Sequence, residues 1–158
     1  MTEVERIVDQ LNRAVTGRAW HGAAVEEILA GITAEQAATR PFKGAHNIWE
    51  IVLHISAWLQ AGRRRLAGDR AQLSDTEDWP NITDSSEQAW KEANAQMTQA
   101  YIALSSAIGQ LRDSSLDQPI LEDMSSVYVT LQGVIQHTLY HAGQIAILKK
   151  AILERQTT

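Results

Sequence analysis

The sequence predicts an all-α four-helix bundle with long connecting loops, folded as a single domain over residues 1–158. Four stretches carry apolar residues at the three- and four-residue steps of an amphipathic helix. The chain has three prolines, and each falls between two of these stretches: Pro41, Pro80 and Pro119. Hydrophobic residues make up 44% of the chain, so one core can form without cross-links. Helices that each bury one apolar face against the others form a bundle.

The first helical stretch covers the N-terminal part of the chain, and glycines interrupt it. Its apolar residues recur at helical spacing: Val4, Ile7, Val8, Leu11, Val15, Val25, Ile28 and Leu29. Gly17 and Gly22 flank His21, and glycine is a poor helix former, so we expect a kink or a break there. Residues 33–36, Thr-Ala-Glu-Gln, have the form of a capping box and predict a short additional turn.

The second and third helices have clear predicted starts. Residues 47–50, Asn-Ile-Trp-Glu, form another capping-box pattern, and Gly68 predicts the end of the second helix. Its apolar stripe comprises Ile48, Ile51, Val52, Ile55, Leu59 and Leu66. The third helix is predicted to begin near residues 85–88, before a regular stripe of Trp90, Ala93, Met97, Tyr101, Leu104, Ile108 and Leu111.

The fourth helix has a less distinct start. Residues 126–130 are weakly β-like, so we expect the helix to begin after Thr130. The residues predicted to face the core are Leu131, Val134, Ile135, Thr138, Ile145, Leu148 and Ile152.

Histidine is the residue type that points to chemistry in this sequence. His137 and His141 are four residues apart, so both rings leave one helix face and can share a metal ion. His54 lies beside the apolar stripe of the second helix. Burying an imidazole without a partner costs roughly 1–3 kcal/mol, and one metal ion would satisfy all three rings. The alternative is that His54 is an ordinary histidine at the core edge and the His137–His141 spacing is coincidental.

The two predicted helix starts suggest that the three histidines meet. His54 lies seven residues after Asn47, and His137 lies seven residues after Thr130. At about 1.5 Å per residue, both lie about 10 Å from their helix starts. If the second and fourth helices run parallel as neighbours, the rings therefore lie at one level. We then expect the connections around residues 32–46 and 113–129 to cover the site and shape a substrate pocket.

The chain resembles the DinB-like superfamily, which includes the YfiT-related proteins. The matching segments span most of the chain: residues 20–22 (Trp-His-Gly), 40–41 (Arg-Pro), 46–54 and 137–145. The last segment is the most specific, because two histidines, Gly143 and Gln144 all fall at family positions, whereas the loop around residues 70–84 is uninformative. Members are four-helix bundles with an unusual helix order and a three-histidine metal site. The resemblance implies that His54, His137 and His141 are the ligands.

The resemblance also bears on activity and assembly. Characterised members include transferases that use low-molecular-weight thiols such as bacillithiol or mycothiol, and a thiol-dependent isomerase. Members are often dimeric, so a homodimer is the assembly that the resemblance implies.

Three function classes follow from these observations. The first is a metal-dependent enzyme that acts on a small molecule by thiol S-transfer or hydrolysis, because three neutral imidazoles leave a divalent ion with open positions. Zinc, nickel, iron and manganese all accept nitrogen ligands. The chain has no cysteine, so a thiol would be a low-molecular-weight cosubstrate. The second class is a non-catalytic metal- or ligand-binding module, and the third is a structural bundle with incidental histidines.

Three further residues are candidates for a catalytic role. Gln144 lies seven residues after His137 on the same face and could orient a ligand, or it could be a packing amide. His46 stands just outside the second helix and could reach the pocket, or it could be a surface or capping histidine. His21 would lie near the metal level if the first helix were continuous. Glu50 precedes His54 by one turn and could accept its second N–H, although a capping role with Asn47 is favoured.

Charge and hydropathy exclude other classes of function. The net charge of −5 argues against a nucleic-acid backbone as the partner. The basic cluster of residues 63–65 (Arg-Arg-Arg) is interpreted as a solvated helix face. No apolar run approaches the roughly 20 residues of a membrane span, and the first residues lack a secretory pattern. We therefore expect a soluble, cytoplasmic protein.

Overall fold

A computed structural model describes residues 1–156, and within them the structure is an all-α bundle, as predicted. Four long helices form the bundle, and three short helices and one 3₁₀ turn lie in the connections. In chain order the helices are α1 (Glu3–Val15), α2 (Val25–Leu29), α3 (Ala34–Ala38), α4 (Ile48–Leu66), α5 (Asp75–Asp78), α6 (Glu87–Gly109) and α7 (Val127–Gln156), and the 3₁₀ turn is Asp113–Ser115. In these residues no helix is both long and apolar enough to cross a membrane.

Most helix starts follow the capping patterns. The Asn47 side chain accepts a hydrogen bond from the Glu50 backbone N–H at 2.9 Å, and the Glu50 carboxylate accepts one from the Asn47 N–H at 3.1 Å. Thr33 and Gln36 exchange the equivalent pair of hydrogen bonds at the start of α3. At the start of α6, the Ser86 side chain accepts a hydrogen bond from the Ala89 N–H. Gly68, at φ +93°, follows the end of α4. These predictions are confirmed, because each pattern satisfies backbone N–H groups that a helix start leaves free.

The first stretch is broken, as the glycines predicted. α1 ends at Val15, and residues 16–24 are not helical. Gly17 (φ +142°) and Gly22 (φ +130°) adopt left-handed conformations that a continuous helix excludes.

α7 begins at Val127, so the predicted start after Thr130 is wrong. Three hydrogen bonds explain the earlier start. The Val127 and Tyr128 N–H groups donate to the carbonyls of Gln118 and Leu116, each at 2.9 Å, and the Val129 N–H donates to Ser126 Oγ at 3.2 Å. Partners distant in sequence thus satisfy the first free N–H groups of α7, and they outweigh the β-like character of this segment.

The long helices are arranged in an order that explains the long connections. α4 packs against α6 and α7, and α1 packs against the same two helices. Helices α1 and α4 therefore occupy opposite corners of the bundle, as do α6 and α7. In an up-down-up-down bundle, consecutive helices are neighbours joined by short turns. Here residues 16–47 and 110–126 must each cross the end of the bundle, and both connections are long.

α4 and α7 run antiparallel, so the expectation of parallel neighbours is wrong. His54, near the start of α4, lies beside His137, whereas Gly62, two turns later, faces Val134, which is earlier in α7. A Cβ added at Gly62 would lie 3.2 Å from Val134 Cγ2, so this glycine permits close helix approach. The segment between α4 and α7 contains α6 and two long connections. Because these connections are long, the sequence alone does not determine whether α7 runs parallel or antiparallel to α4.

Candidate metal centre

Three histidine rings from α4 and α7 form a compact cluster in the described part of the chain. The ring centroids of His54 and His137 are 4.8 Å apart, those of His54 and His141 are 4.7 Å apart, and those of His137 and His141 are 4.5 Å apart. One nitrogen from each ring lies within 4.8 Å of the others. The structure therefore brings together the three residues predicted as ligands, even though the helix direction that suggested their meeting is wrong.

The helix core holds these rings in place. His54 and His141 are each 5% exposed, and His137 is half-buried. The α4 residues around His54 include Ile51 and Ile55, which are fully enclosed in the bundle core. Side chains on well-packed helices have few alternative positions, so helix packing holds the nitrogens close together.

Hydrogen bonds orient two of the rings. His54 Nδ1 lies 2.7 Å from the Asp78 carbonyl oxygen and 3.1 Å from Asp78 Oδ1. His141 Nδ1 lies 2.7 Å from Gln144 Oε1. Because both acceptors take a proton from Nδ1, the lone pair of each ring is on Nε2. An oxygen acceptor behind the ligating imidazole is the usual arrangement at protein metal sites.

The donor atoms fit a divalent metal ion. His54 Nε2 and His137 Nε2 are 2.9 Å apart. Two imidazole nitrogens that bind one ion at about 2.1 Å lie about 3.0–3.4 Å apart for right-angled to tetrahedral geometry. In addition, the buried His137 Nδ1 has no hydrogen-bond partner among the described residues, so this ring has no other polar contact to account for its burial beside His54. Nitrogen donors accept zinc, nickel, iron or manganese alike.

The rings have the protonation state that a metal requires. Burial lowers the pKa of His137 to about 4, with a further contribution from the neighbouring His141 and His54. Burial also lowers the pKa of His54 and of His141, although Asp78 and Gln144 respectively oppose the shift. All three imidazoles are thus neutral at pH 7, and their nitrogen lone pairs are available to a cation.

The connection between α4 and α6 contributes two site residues that the sequence interpretation missed. Asp78, at the end of α5, accepts the His54 N–H and also a hydrogen bond from Trp58 Nε1 at 2.6 Å. The Trp79 ring stacks on His54 with a centroid separation of 3.8 Å and an interplanar angle of 6°. The capping-box pattern of residues 74–77, Ser-Asp-Thr-Glu, directly precedes this pair and was the signal that could have located α5.

His46 reaches the centre indirectly. Its ring stacks on the opposite face of Trp79, with centroids 3.6 Å apart and an interplanar angle of 6°. His46 Nδ1 lies 3.1 Å from a Glu50 carboxylate oxygen, and Glu50 also pairs with Arg40. Glu50 therefore accepts hydrogen bonds from the Asn47 N–H at the helix cap and from His46. The acceptor for the second N–H of His54 is Asp78, not Glu50.

The other two catalytic candidates differ in position. Gln144 contacts His141 directly. His21 is exposed in the non-helical segment after α1 and lines a different cavity with Arg13, Trp20 and other residues. Because α1 ends at Val15, the continuous register that would have brought His21 to the metal level does not exist.

A cavity of about 610 Å³ opens beside the histidine cluster. Its wall comes from α4, from α5, from the connection before α7 and from the first turns of α7: His54, Trp58, Arg65, Asp78, Asp123, Met124, Ser125, Val129, Thr130, Gly133, Val134 and His137. The prediction that the connection around residues 113–129 shapes a pocket agrees with this wall, and His46 brings the end of the 32–46 connection to Trp79. Arg65 lines the cavity, so only part of the basic cluster is a solvated face.

Comparisons with known proteins agree with this architecture. A sequence model of the DinB superfamily matches residues 18–145. The fold is similar to the crystal structure of a conserved protein from Enterococcus faecalis, with a TM-score of 0.72 over 98% of this chain and 99% of that chain. The two chains are 19% identical, so this similarity shows the fold alone. No curated protein sequence matches the chain. The family match covers most of the chain, including all three clustered histidines, and the chain belongs to the DinB superfamily.

Proposed function

We propose that this protein binds one divalent metal ion on His54, His137 and His141 and uses it in a reaction on a small molecule held in the adjoining cavity. The observation that carries the proposal is a cluster of three neutral imidazoles within 4.8 Å of one another, two of which, His54 and His137, line a cavity of about 610 Å³. Cavities of about 300–1,000 Å³ are typical of sites for small molecules.

A divalent ion with three imidazole ligands retains open positions and supplies Lewis-acid activation of a thiol or water. The chain's own residues prepare the site for it. Asp78 and Gln144 hold the Nδ1 protons of His54 and His141, so each Nε2 lone pair faces the centre. Trp58 and Trp79 lie against His54, one edge-on and one stacked, and exclude water from that ring.

Within this function, we favour thiol S-transfer, with hydrolysis as the second reaction. The chain contains no cysteine, so in an S-transfer reaction the nucleophilic sulfur must come from a low-molecular-weight thiol. The cavity is large enough for such a thiol beside a small electrophile. Asp123, Ser125 and Thr130 supply polar groups on the wall that can bind the polar parts of either molecule.

A non-catalytic binding module is the second candidate, and one observation favours it. Trp79 stacks between His46 and His54 and covers one side of the centre. A fully covered ion would bind without reacting. Substitution with Co²⁺ separates the two functions, because an open cobalt site changes its visible spectrum when azide or a thiol is added, and a closed site does not.

The first experiment is elemental analysis of the protein purified without a histidine tag. We expect about one equivalent of divalent metal in the parent protein, and its loss in a folded His137→Ala/His141→Ala variant. His21→Ala is the matched control, since it removes a histidine outside the cluster and should leave the metal content unchanged. A parent protein that binds no metal after reconstitution with zinc, nickel, iron and manganese would exclude the proposed function.

A further inference from the structure

The cavity beside the histidines has a cationic group at its far end. Arg65 lies eleven residues after His54 on α4, about three helical turns, so both side chains are on the same face. Arg65 lines the cavity, whereas Arg63 is exposed. The two arginines therefore differ in surroundings although they are two residues apart.

The guanidinium of Arg65 is held in place but is not neutralised. Its Cζ lies 5.4 Å from the Trp58 ring centroid, a cation–π contact, and its Nε donates to the Arg70 carbonyl at 3.2 Å. Within residues 1–156, no carboxylate forms an ion pair with Arg65, whereas the neighbouring Arg64 pairs with Asp69 at 2.7 Å. The terminal N–H groups of Arg65 thus remain free to bind an anion in a bidentate manner.

One small molecule can contact both Arg65 and the histidines. The Trp58 ring centroid is 5.6 Å from that of His137. Arg65 Cζ therefore lies no more than 11.0 Å from the His137 ring, the sum of the two distances through Trp58. Apolar side chains line the wall in this region, namely Met124, Val129 and Val134.

We propose that Arg65 is a specificity-determining residue and that the cavity takes a small monocarboxylate with an apolar body, whose carboxylate binds Arg65 and whose other end reaches the histidines. The contact between the ligand's other end and the histidines rests on the proposed function, whereas the binding of the carboxylate by Arg65 does not. Asp78 is already bonded to His54 and Trp58. Among the described wall residues, Asp123 is the remaining charged group and Arg65 is the one cationic side chain, so each further negative charge of a phosphate ester or other polyanion would meet repulsion from Asp123 without a second cation to offset it.

The test is an NMR titration of the metal-free protein with hexanoate and, separately, with 1-hexanol. Both probes have the same apolar body, and only hexanoate carries a charge. We expect hexanoate to shift the Arg65 Nε–H and Gly133 amide signals and to bind at least about tenfold more tightly than hexanol. Equal affinity for the two probes, or shifts confined to other surfaces, would overturn the proposal.

Three variants locate the binding. Arg65→Gln removes the charge at similar length and should abolish the preference for hexanoate, while Arg63→Gln should retain it. Gly133→Leu fills the cavity, since a Cβ at this position meets nothing within 4 Å, and should weaken both probes at least about tenfold. An undiminished hexanoate preference in Arg65→Gln, or equal loss in Arg63→Gln, would overturn the assignment.

A fourth variant separates this inference from the proposed function. The His137→Ala/His141→Ala protein should keep the preference for hexanoate over hexanol, because Arg65, which carries that preference, is not part of the histidine cluster, whereas the affinity for both probes can change with the shape of the wall at His137. A parent that binds hexanoate but no metal would contradict the proposed function and leave the Arg65 site standing. A parent that binds metal but shows no hexanoate preference would overturn the Arg65 site alone.

Discussion

The two kinds of structure that form the candidate metal centre differ in what they contribute. The long helices α4 and α7 supply the three histidine rings and hold them in the bundle core. The connection after α4 supplies groups around His54, with Asp78 bonded to His54 and Trp79 stacked between His46 and His54. Helix packing thus determines where the ligands are, and the connections determine how His54 is oriented and how far water reaches it.

This difference predicts that core substitutions under the histidines damage the whole fold. Ile55 adjoins His54 in α4 and is completely buried. Ile55→Ala should lower the free energy of unfolding by about 2–5 kcal/mol, because it leaves a cavity in the core. Chemical denaturation measures the effect, and Ile102→Ala, at a position 48% exposed, is the control. A loss at Ile55 no larger than that at Ile102 would contradict the assignment of the rings to a packed core.

Substitution of Asp78 should instead affect metal binding more than folding. Asp78→Ala removes the carboxylate near His54 Nδ1 but retains the backbone carbonyl that also accepts this proton. We therefore expect the metal affinity to fall by about tenfold, at the lower end of the effect of outer hydrogen-bond partners. Competition with a chelator measures it. Asp75→Ala, at the exposed start of the same short helix, should leave the affinity unchanged.

Removal of the Trp79 ring should have a smaller effect of the same kind. Trp79→Ala eliminates the stack on His54 and admits water, so the metal affinity should fall by about two- to tenfold, and the loss of unfolding free energy should be smaller than in Ile55→Ala because Trp79 is only partly buried. Trp20→Ala, at a fully exposed position, is the control. If Trp79→Ala destabilises the protein as much as Ile55→Ala does, Trp79 stabilises the fold as a core residue does. The distinction between the long helices and the connections would then be wrong at this position.

A connection residue that contacts α1 rather than the histidine cluster, Asp113, should give the smallest effect, and this effect should depend on pH. The Val4 and Glu3 backbone N–H groups donate to Asp113 and lower the pKa of its carboxyl below the ordinary value of 3.8. A carboxyl group whose pKa is lower in the folded state than in the unfolded state stabilises the protein at pH values above its unfolded-state pKa. This contribution is lost as the pH falls through the folded-state pKa. Asp113→Asn should therefore lower the melting temperature slightly at pH 7.

The pH series checks this sign. The difference in melting temperature between the parent and Asp113→Asn should shrink as the pH is lowered below 3.8. A difference that is constant with pH would show that the carboxylate charge does not contribute. Metal content should be the same in both proteins, since Asp113 serves the start of α1.

The parts of the structure that were predictable from sequence depend on residues close together in the chain. The four-residue step from His137 to His141 places both rings on one helix face wherever the helix lies. The caps at Asn47 and Ser86 likewise involve bonds across three residues. The start of α7 was misplaced because two of its first N–H groups, those of Val127 and Tyr128, donate to carbonyls nine and twelve residues earlier, at Gln118 and Leu116.

The sequence by itself determined the presence of the four long helices, their apolar faces and the three histidines as candidate ligands, because periodicity and capping are local. Only the tertiary structure decided that α4 and α7 are antiparallel, that Asp78 bonds to a ring 24 residues away, and that Arg65 faces a cavity while Arg63 faces solvent. These features depend on how helices pair in space. The physical reason is that flexible connections allow many arrangements of the same helices, and burial of the whole core selects one of them.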